Sequence, residues 1–442
     1  MGNEQHHRAT LLSMGMPIHN KMKTTLHSVA DVADGADAEQ EGGSASAVSV
    51  SVALLTGGID RPYAYGLSLA LALKGVKLDV IGNRELESPE ILAQPTVTFF
   101  TLHRDLRKAA SLPRRLLEHL AVYGRIIRYA AAAKPRVFHI LWNYKFQWFD
   151  RTLLMLYYKM LGKRIVLTAH NVNAAARDGN ESMANRLSLK LQYRLSDHIF
   201  VHTDRMRAAL HNDFGLRERA VTVIPFGLNN SVPDTDLTPA AAKRKLGLDS
   251  QEKTILFFGR IRAYKGLHYL VNAFRQLAVQ DGSYRLLIAG EPKKDSFQYW
   301  REIQEFIQRE KIGDRVIQEA RFIKDEETEL YFKAADVLIL PYSEIFQSGV
   351  MFLAYSFGLP VIATDVGSLR DDIVEGRTGY VCRPCDAVDL AKTIDRYFAS
   401  ELFNNLDRRR ADIKAFAASR NSWALVSEKT CQVYAQLLAE GK

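Results

Sequence analysis

Short apolar runs recur along the 442-residue chain, each closed by a glycine or a polar turn and separated from the next by a longer stretch of helical period. The runs at 48–56, 78–82, 137–142, 164–168, 199–202 and 221–224 predict strands, and the first two flank a helix over 63–74 that Gly75 ends. Pro225, Phe226 and Gly227 break the pattern, and a polar stretch with Pro233 and Pro239 reads as a linker over 229–250. Runs at 255–258, 286–289, 316–318, 337–340 and 361–363 then alternate with helical segments. Strands that are apolar throughout and separated by helices form parallel, doubly wound sheets. The expected class is therefore α/β, with two doubly wound, Rossmann-like domains at 48–228 and 251–421 and a helix near the end, in 422–442. Residues 1–47 lack periodicity and read as a disordered leader.

Composition narrows the class without changing it. With 47% hydrophobic and 25% charged residues the chain reads as globular. The stretch 152–161 is interrupted by Lys159 and too short for a membrane span, and no signal-peptide h-region is visible near the start, so a cytoplasmic location is expected. Cys382, Cys385 and Cys431 are too few for a disulfide framework, and the CRPC pair lacks the second pair that a structural zinc needs. Net charge is +9, and the excess is local: fourteen Lys or Arg between 104 and 164 face Asp105, Glu118 and Asp150. Leu112, Leu116, Leu117, Tyr123, Ile126, Ile127 and Tyr129 are interleaved with them. Such a mix suits a surface resting on the anionic headgroups of the inner membrane face; the alternative is a helix whose apolar stripe packs on its own core. No nucleic-acid-binding motif accompanies the charge, so nucleic acid is not expected as a partner.

Candidate chemistry collects at strand ends, because ligands of open α/β sheets settle beyond the carboxyl ends of the strands. The run ILFFGRIRAYKG ends a strand in Gly259 and follows it with Arg260 and Lys265, two cations suited to an anion. Farther on, Ser348 and Gly349 sit where an apolar helix over 350–357 begins, so free amides could receive phosphate or sugar oxygens. Together the two stretches describe a diphosphate cradle. His170 follows the strand 164–168, and its position faces a cleft; a structural histidine pinning the loop is the alternative. The HNVN run offers no thiolate or carboxylate to complete a metal shell.

The ordered motifs GRIRAYKG, AADVLILPYSE, AYSFGLPVIATDVGSL and EGRTGYVCRPCDAVDLA resemble the nucleotide-binding half of glycosyltransferase family 4. The resemblance implies a GT-B fold, two Rossmann-like domains facing across a cleft with the last helix returning to the first. It also implies a retaining hexosyltransferase that uses a nucleoside-diphosphate sugar, with no cofactor and no metal. Under it, Arg260 and Lys265 stabilise the departing phosphate and His170 orients the donor sugar. Gly58 lies across from the donor phosphates, Ser348 and Gly349 supply amides, and backbone atoms of Phe322 and Ile323 meet the base. The acceptor would be a glycan or a lipid-linked precursor of a cell-surface or secreted polysaccharide. One departure stands out: the positions of two glutamates usual in the family hold Ile345 and Leu353 here. Glu344 and Gln347 are the nearest substitutes for the sugar contact, and the loss makes a catalytically silent scaffold subunit the alternative reading. An epimerase of the same fold has less support, because its acid and base carboxylates cannot be placed.

Overall fold

The chain is described by a computed structural model at residues 50–58, 60–102, 112–217 and 220–440. The expected leader at 1–47, and residues 103–111 of the basic segment, lie outside those residues. Among the described residues the strands form two sheets, parallel throughout. The first has the order β3-β2-β1-β4-β5-β6-β7, with β1 at Ser51–Leu55, β2 at Lys77–Gly82, β3 at Val97–Thr101, β4 at Val137–Ile140, β5 at Arg164–Thr168, β6 at His198–Val201 and β7 at Val221–Val223. The second has the order β10-β9-β8-β11-β12-β13, with β8 at Lys253–Phe258, β9 at Tyr284–Ala289, β10 at Val316–Glu319, β11 at Val337–Leu340, β12 at Val361–Thr364 and β13 at Gly379–Cys382. Central strands such as β4, β6, β11 and β12 are buried along their whole length, which is why they appear in the sequence as unbroken apolar runs.

The two strands absent from the hydrophobic pattern, β3 and β13, are both edge strands. β3 alternates between half-buried and exposed residues, and β13 opens on Gly379 with its middle only partly covered. An edge strand is covered less completely than a central one and needs fewer apolar residues.

Strand order reverses between β1 and β4 in the first sheet and between β8 and β11 in the second, and such switch points open the crevices where ligands bind. Gly57 follows β1, and a Cβ there would lie 2.6 Å from the Trp142 carbonyl oxygen that follows β4. Gly266 lies beyond β8 at φ +66°, and a Cβ there would come within 1.9 Å of the Pro341 carbonyl oxygen beyond β11. At the second point only glycine suits both the left-handed backbone and the close approach.

Helix α1 (Arg61–Leu73) is capped by Asp60, whose carboxylate accepts from the Tyr63 amide at 3.3 Å. Two further helices matter below: α2 (Leu112–Ala132) in the first domain and α3 (Asp325–Ala334) in the second. The apolar helix α4 (Gly349–Ser356) follows β11, and the last helix, α5 (Trp423–Ala439), packs on α1. Val426, Val433, Tyr434 and Leu437 of α5 join Leu67 and Leu71 in the first domain's core. Tyr434 also hydrogen bonds the fully buried His139 of β4 at 2.6 Å.

The chain passes between the domains at Phe226–Leu228 and returns at Asn421–Trp423, and these passages are joined. The Leu228 amide donates to the Asn421 carbonyl at 3.1 Å, the Asn421 side-chain amide donates to the Phe226 carbonyl at 3.0 Å, and Trp423 Nε1 donates to the Leu228 carbonyl at 2.7 Å. The Trp423 indole fills a slot between Gly66 and Gly227, where added Cβ atoms would meet it at 2.1 and 2.4 Å. Residues 229–250 rest on the second domain, with Thr235 bonded to the buried Glu329 and Asp234 paired with Lys333 and Lys414.

Candidate active site

Two cavities open between the domains. One, of about 310 Å³, is lined from the first domain and the crossings by Asp60, Tyr63, Phe226 and Trp423, and from the second by Lys265, Ile345, Gln347, Ser348, Gly349 and Leu353. The other, of about 670 Å³, is lined by Gly58 and Arg61 on one side and by Arg260, Phe322 and Asp325 on the other. Asp60 and Pro62 line both. The structure thus brings Lys265, Gln347, Ser348 and Gly349 to one wall, and places Gly58, Arg260 and Phe322 around the neighbouring space. Glu344 is exposed and lines neither cavity, whereas Ile323 is packed in the second domain's core.

Lys265 is buried, and no carboxylate pairs with it among the described residues. Burial first, then the like charges of Arg260, Arg177 and Arg262, pull its pKa down from 10.5 to about 8. Room for the ammonium comes from Gly259 at φ +103°, where a Cβ would lie 3.1 Å from Nζ. Of the three arginines, Arg262 is paired with Asp295 at 3.0 Å and Arg177 with Asp178 at 2.7 Å, while Arg260 is exposed toward the cleft. The arrangement is an excess of positive charge in a water-poor pocket, which an anion relieves.

The helix mouth lies on the same wall as Lys265. Ser348 is buried at the N-cap position of α4, yet its hydroxyl makes no capping bond and lies 3.4 Å from the Tyr342 hydroxyl. The side chain therefore leaves the helix start uncapped. The Met351 amide turns back to the Ser348 carbonyl at 3.1 Å, whereas the Gly349 and Val350 amides precede the first turn's bonds and remain available to an anion.

His170 follows β5 and lies flat against Trp142, ring centroids 4.0 Å apart, with Tyr63 edge-on at 4.5 Å. It lines neither cavity; Tyr63, which does, packs against it. Its protonation follows from its partners. His202 Nδ1 faces the Ile224 carbonyl at 3.4 Å and so carries a proton, which leaves its Nε2 to accept from His170 Nδ1 at 3.0 Å. His170 Nε2 is then a bare acceptor, buried and without a partner among the described residues. Burial, with His202 and His139 nearby, holds the imidazole pKa well below 6.5, so it is neutral at physiological pH.

Three contributors lie outside the motifs read from the sequence. Asp60 bears on both cavities; burial raises its carboxyl pKa, opposed by the Tyr63 amide and by Arg260 across the cleft. Arg61 crosses the gap to Asp325 at 2.7 Å while its Nε donates to the Glu85 carbonyl. Arg177 lies over the Tyr264 ring at 4.4 Å, a second first-domain cation reaching the second domain. The GGIDR run held a clue to the first two, since an acid and a base directly after the glycine turn of β1 must lie at the cleft edge.

Among the described residues no group of three or more His, Cys, Asp or Glu side chains is placed to hold a metal ion, and no helix is long and apolar enough to cross a membrane.

Two parallel Rossmann-like sheets with a cationic pocket at their facing switch points define a GT-B glycosyltransferase scaffold. Residues 56–231 match the family model described as Glycosyltransferase Family 4, and residues 252–400 match that described as Glycosyl transferases group 1. The chain belongs to glycosyltransferase family 4. It is 30% identical over 296 residues to a D-inositol 3-phosphate glycosyltransferase of Nocardia farcinica, across 62% of this chain and 62% of that protein. The alignment thus spans less than two thirds of that relative's length. Among solved structures it is similar to sucrose-phosphate synthase from Thermosynechococcus elongatus, with a TM-score of 0.69 at 20% identity over 88% of this chain and 100% of the other. It is likewise similar to Anabaena HepE in complex with UDP-glucose, with a TM-score of 0.67 at 18% identity over 88% of this chain and 99% of the other.

Proposed function

We propose that the protein transfers a sugar from a nucleoside-diphosphate sugar to an acceptor hydroxyl with retention of configuration, without a metal ion or other cofactor. The observation that carries this reading is Lys265, a buried ammonium with like charges around it and no carboxylate partner among the described residues. As the bond from the anomeric carbon to the β-phosphate oxygen breaks, its electron pair goes to the phosphate. Lys265, Arg260 and the first amides of α4 meet the growing charge already in place. The acceptor oxygen attacks from the face the phosphate is leaving, and its proton passes to the departing phosphate. His170, which lies outside both cavities, is assigned to holding the Tyr63 ring in the wall of the smaller one rather than to a hydroxyl of the donor sugar, and backbone atoms near Phe322 to the base. UDP-glucose in HepE makes uridine the first nucleotide to try.

A panel of UDP-, GDP- and ADP-sugars tested by thermal shift, followed by nucleotide-release assays, checks the reading. At least one sugar nucleotide is expected to raise the Tm and to be turned over with an acceptor present. A nucleotide sugar that binds but is never broken down would favour a silent subunit, a reading that the apolar Ile345 and Leu353 in the cavity wall support.

For the acceptor we propose a lipid-linked or cell-surface polysaccharide precursor, met at the inner face of the membrane. The apolar residues of α2 divide between two sides: Val122, Tyr123 and Ile126 are buried, while Leu116, Leu117 and Leu120 are exposed. Tyr123 stacks on the exposed Phe146, and Trp148, Leu153, Leu156 and Met160 are exposed as well, as are Arg114 and Lys145. A fully buried Leu is worth about 2 kcal/mol, so three or four such side chains with basic neighbours suffice for reversible binding to anionic bilayers. Sedimentation with vesicles containing phosphatidylglycerol is expected to carry down the protein, and the combined Leu116→Ser, Leu117→Ser and Trp148→Ser variant is expected to lose at least tenfold of that partition. Equal partition of the two proteins would remove the membrane from the reading.

A further inference from the structure

We propose that Gln347 and Asp372 together read one hydroxyl of the donor sugar: Gln347 Oε1 accepts the hydroxyl proton, and Asp372 fixes the amide so that this oxygen faces the cavity. The inference rests on the donor reading above and adds the pair that recognises the sugar itself.

Gln347 lines the smaller cavity beside Lys265, Ser348 and Gly349. Its Nε2 donates to Asp372 Oδ2 at 3.2 Å. Its Oε1 is buried and has no hydrogen-bond partner among the described residues. A buried acceptor left open is costly unless something that comes and goes satisfies it. The amide cannot turn over without setting its oxygen against a carboxylate oxygen, so Asp372 determines which end points into the cavity.

Asp372 is itself held. It closes a short 3-10 turn, Arg370–Asp372, and its carbonyl accepts from the Tyr355 hydroxyl of α4 at 3.0 Å. Burial raises its carboxyl pKa to about 6, opposed by the Gln347 amide and by Arg420, so it is mostly ionised at pH 7. Ile345 and Leu353 share the cavity wall with Gln347 and can accept nothing. An oxygen acceptor recognises a group that donates, so the pair favours a sugar with a free hydroxyl at that place over its deoxy counterpart.

Calorimetric titration of the wild-type chain and variants with UDP, GDP and ADP, and with UDP-, GDP- and ADP-glucose, tests the pair. For the nucleotide that binds, Gln347→Ala is expected to weaken the glucose form about tenfold and to leave the bare diphosphate within twofold. Asp372→Asn, which keeps the shape but lets the amide turn, is expected to give part of that loss alone and no further loss on top of Gln347→Ala. Sugar affinity unchanged in Gln347→Ala overturns the inference, as does equal weakening of diphosphate and sugar nucleotide. A loss from Asp372→Asn that persists in the Gln347→Ala background overturns the positioning role, because it marks a purely structural carboxylate. Failure of all three diphosphates to bind wild type refutes the donor reading itself, and the inference falls with it.

Discussion

Lys265→Met is expected to raise the Tm and to lower turnover about 10²-fold or more in the same molecule. The ammonium is buried among like charges, and its folded pKa of about 8 lies below the ordinary 10.5. At 1.4 kcal/mol per pKa unit this difference costs the folded state about 3 kcal/mol at neutral pH. Methionine fills a similar volume without that cost, so the variant should melt about 5 °C higher. The sign follows from proton counting: between pH 8 and 10.5 the unfolded chain binds the proton that the folded chain has released, so wild-type stability rises with pH in that window. The variant should lack this rise. Nucleotide affinity runs the other way, because the diphosphate needs the charged form; it is expected to fall in wild type as pH climbs through 8. Calorimetric melts at pH 7, 8 and 9.5, with turnover at pH 7, decide the matter. A variant that is both less stable and still active would show that the ammonium is not poised for an anion.

The second large effect is structural. Trp423→Ala should cost about 3 kcal/mol or more, the range for removing a large aromatic side chain from a packed site. The indole is wedged between Gly66 and Gly227, meets the Tyr63 ring at 5.2 Å, and satisfies the Leu228 carbonyl. Without it, one wall of the smaller cavity goes and the tie between the two crossings weakens. Calorimetry is expected to show a Tm several degrees lower and a single transition splitting toward two, one per domain. A melt within 1 °C of wild type, still single, would mean that the other two hydrogen bonds at the crossings carry the connection.

The central strands, the glycine turns and the two cations were legible in the chain because burial on both faces writes unbroken apolar runs, and because a cation just past a strand end has few places to go. Edge strands β3 and β13 escaped because sheet edges relax that demand. In the site, Lys265, Ser348 and Gly349 could be read from local motifs. The partners of Arg61, Arg177 and Gln347 could not: Asp325, Tyr264 and Asp372 reach them only through the fold, and no local spacing encodes such meetings. The α2 segment shows a subtler limit. Its helical apolar spacing is the same whether a given leucine turns inward or outward, and only the packing of Tyr123 and Ile126 assigns Leu116 and Leu117 to the outside.

The paired passages at Phe226–Leu228 and Asn421–Trp423 act as an axle. The smaller cavity abuts it, whereas the Arg61–Asp325 ion pair borders the larger one. A body turning about an axle travels least beside it and most at its rim, so any swing of one half against the other spares Lys265 and the helix mouth and spends its displacement at the outer gate, where Arg260 lies. A donor nucleotide would thus find its anchoring end preformed, while the width of the mouth is set by whether one arginine keeps its grip on one aspartate.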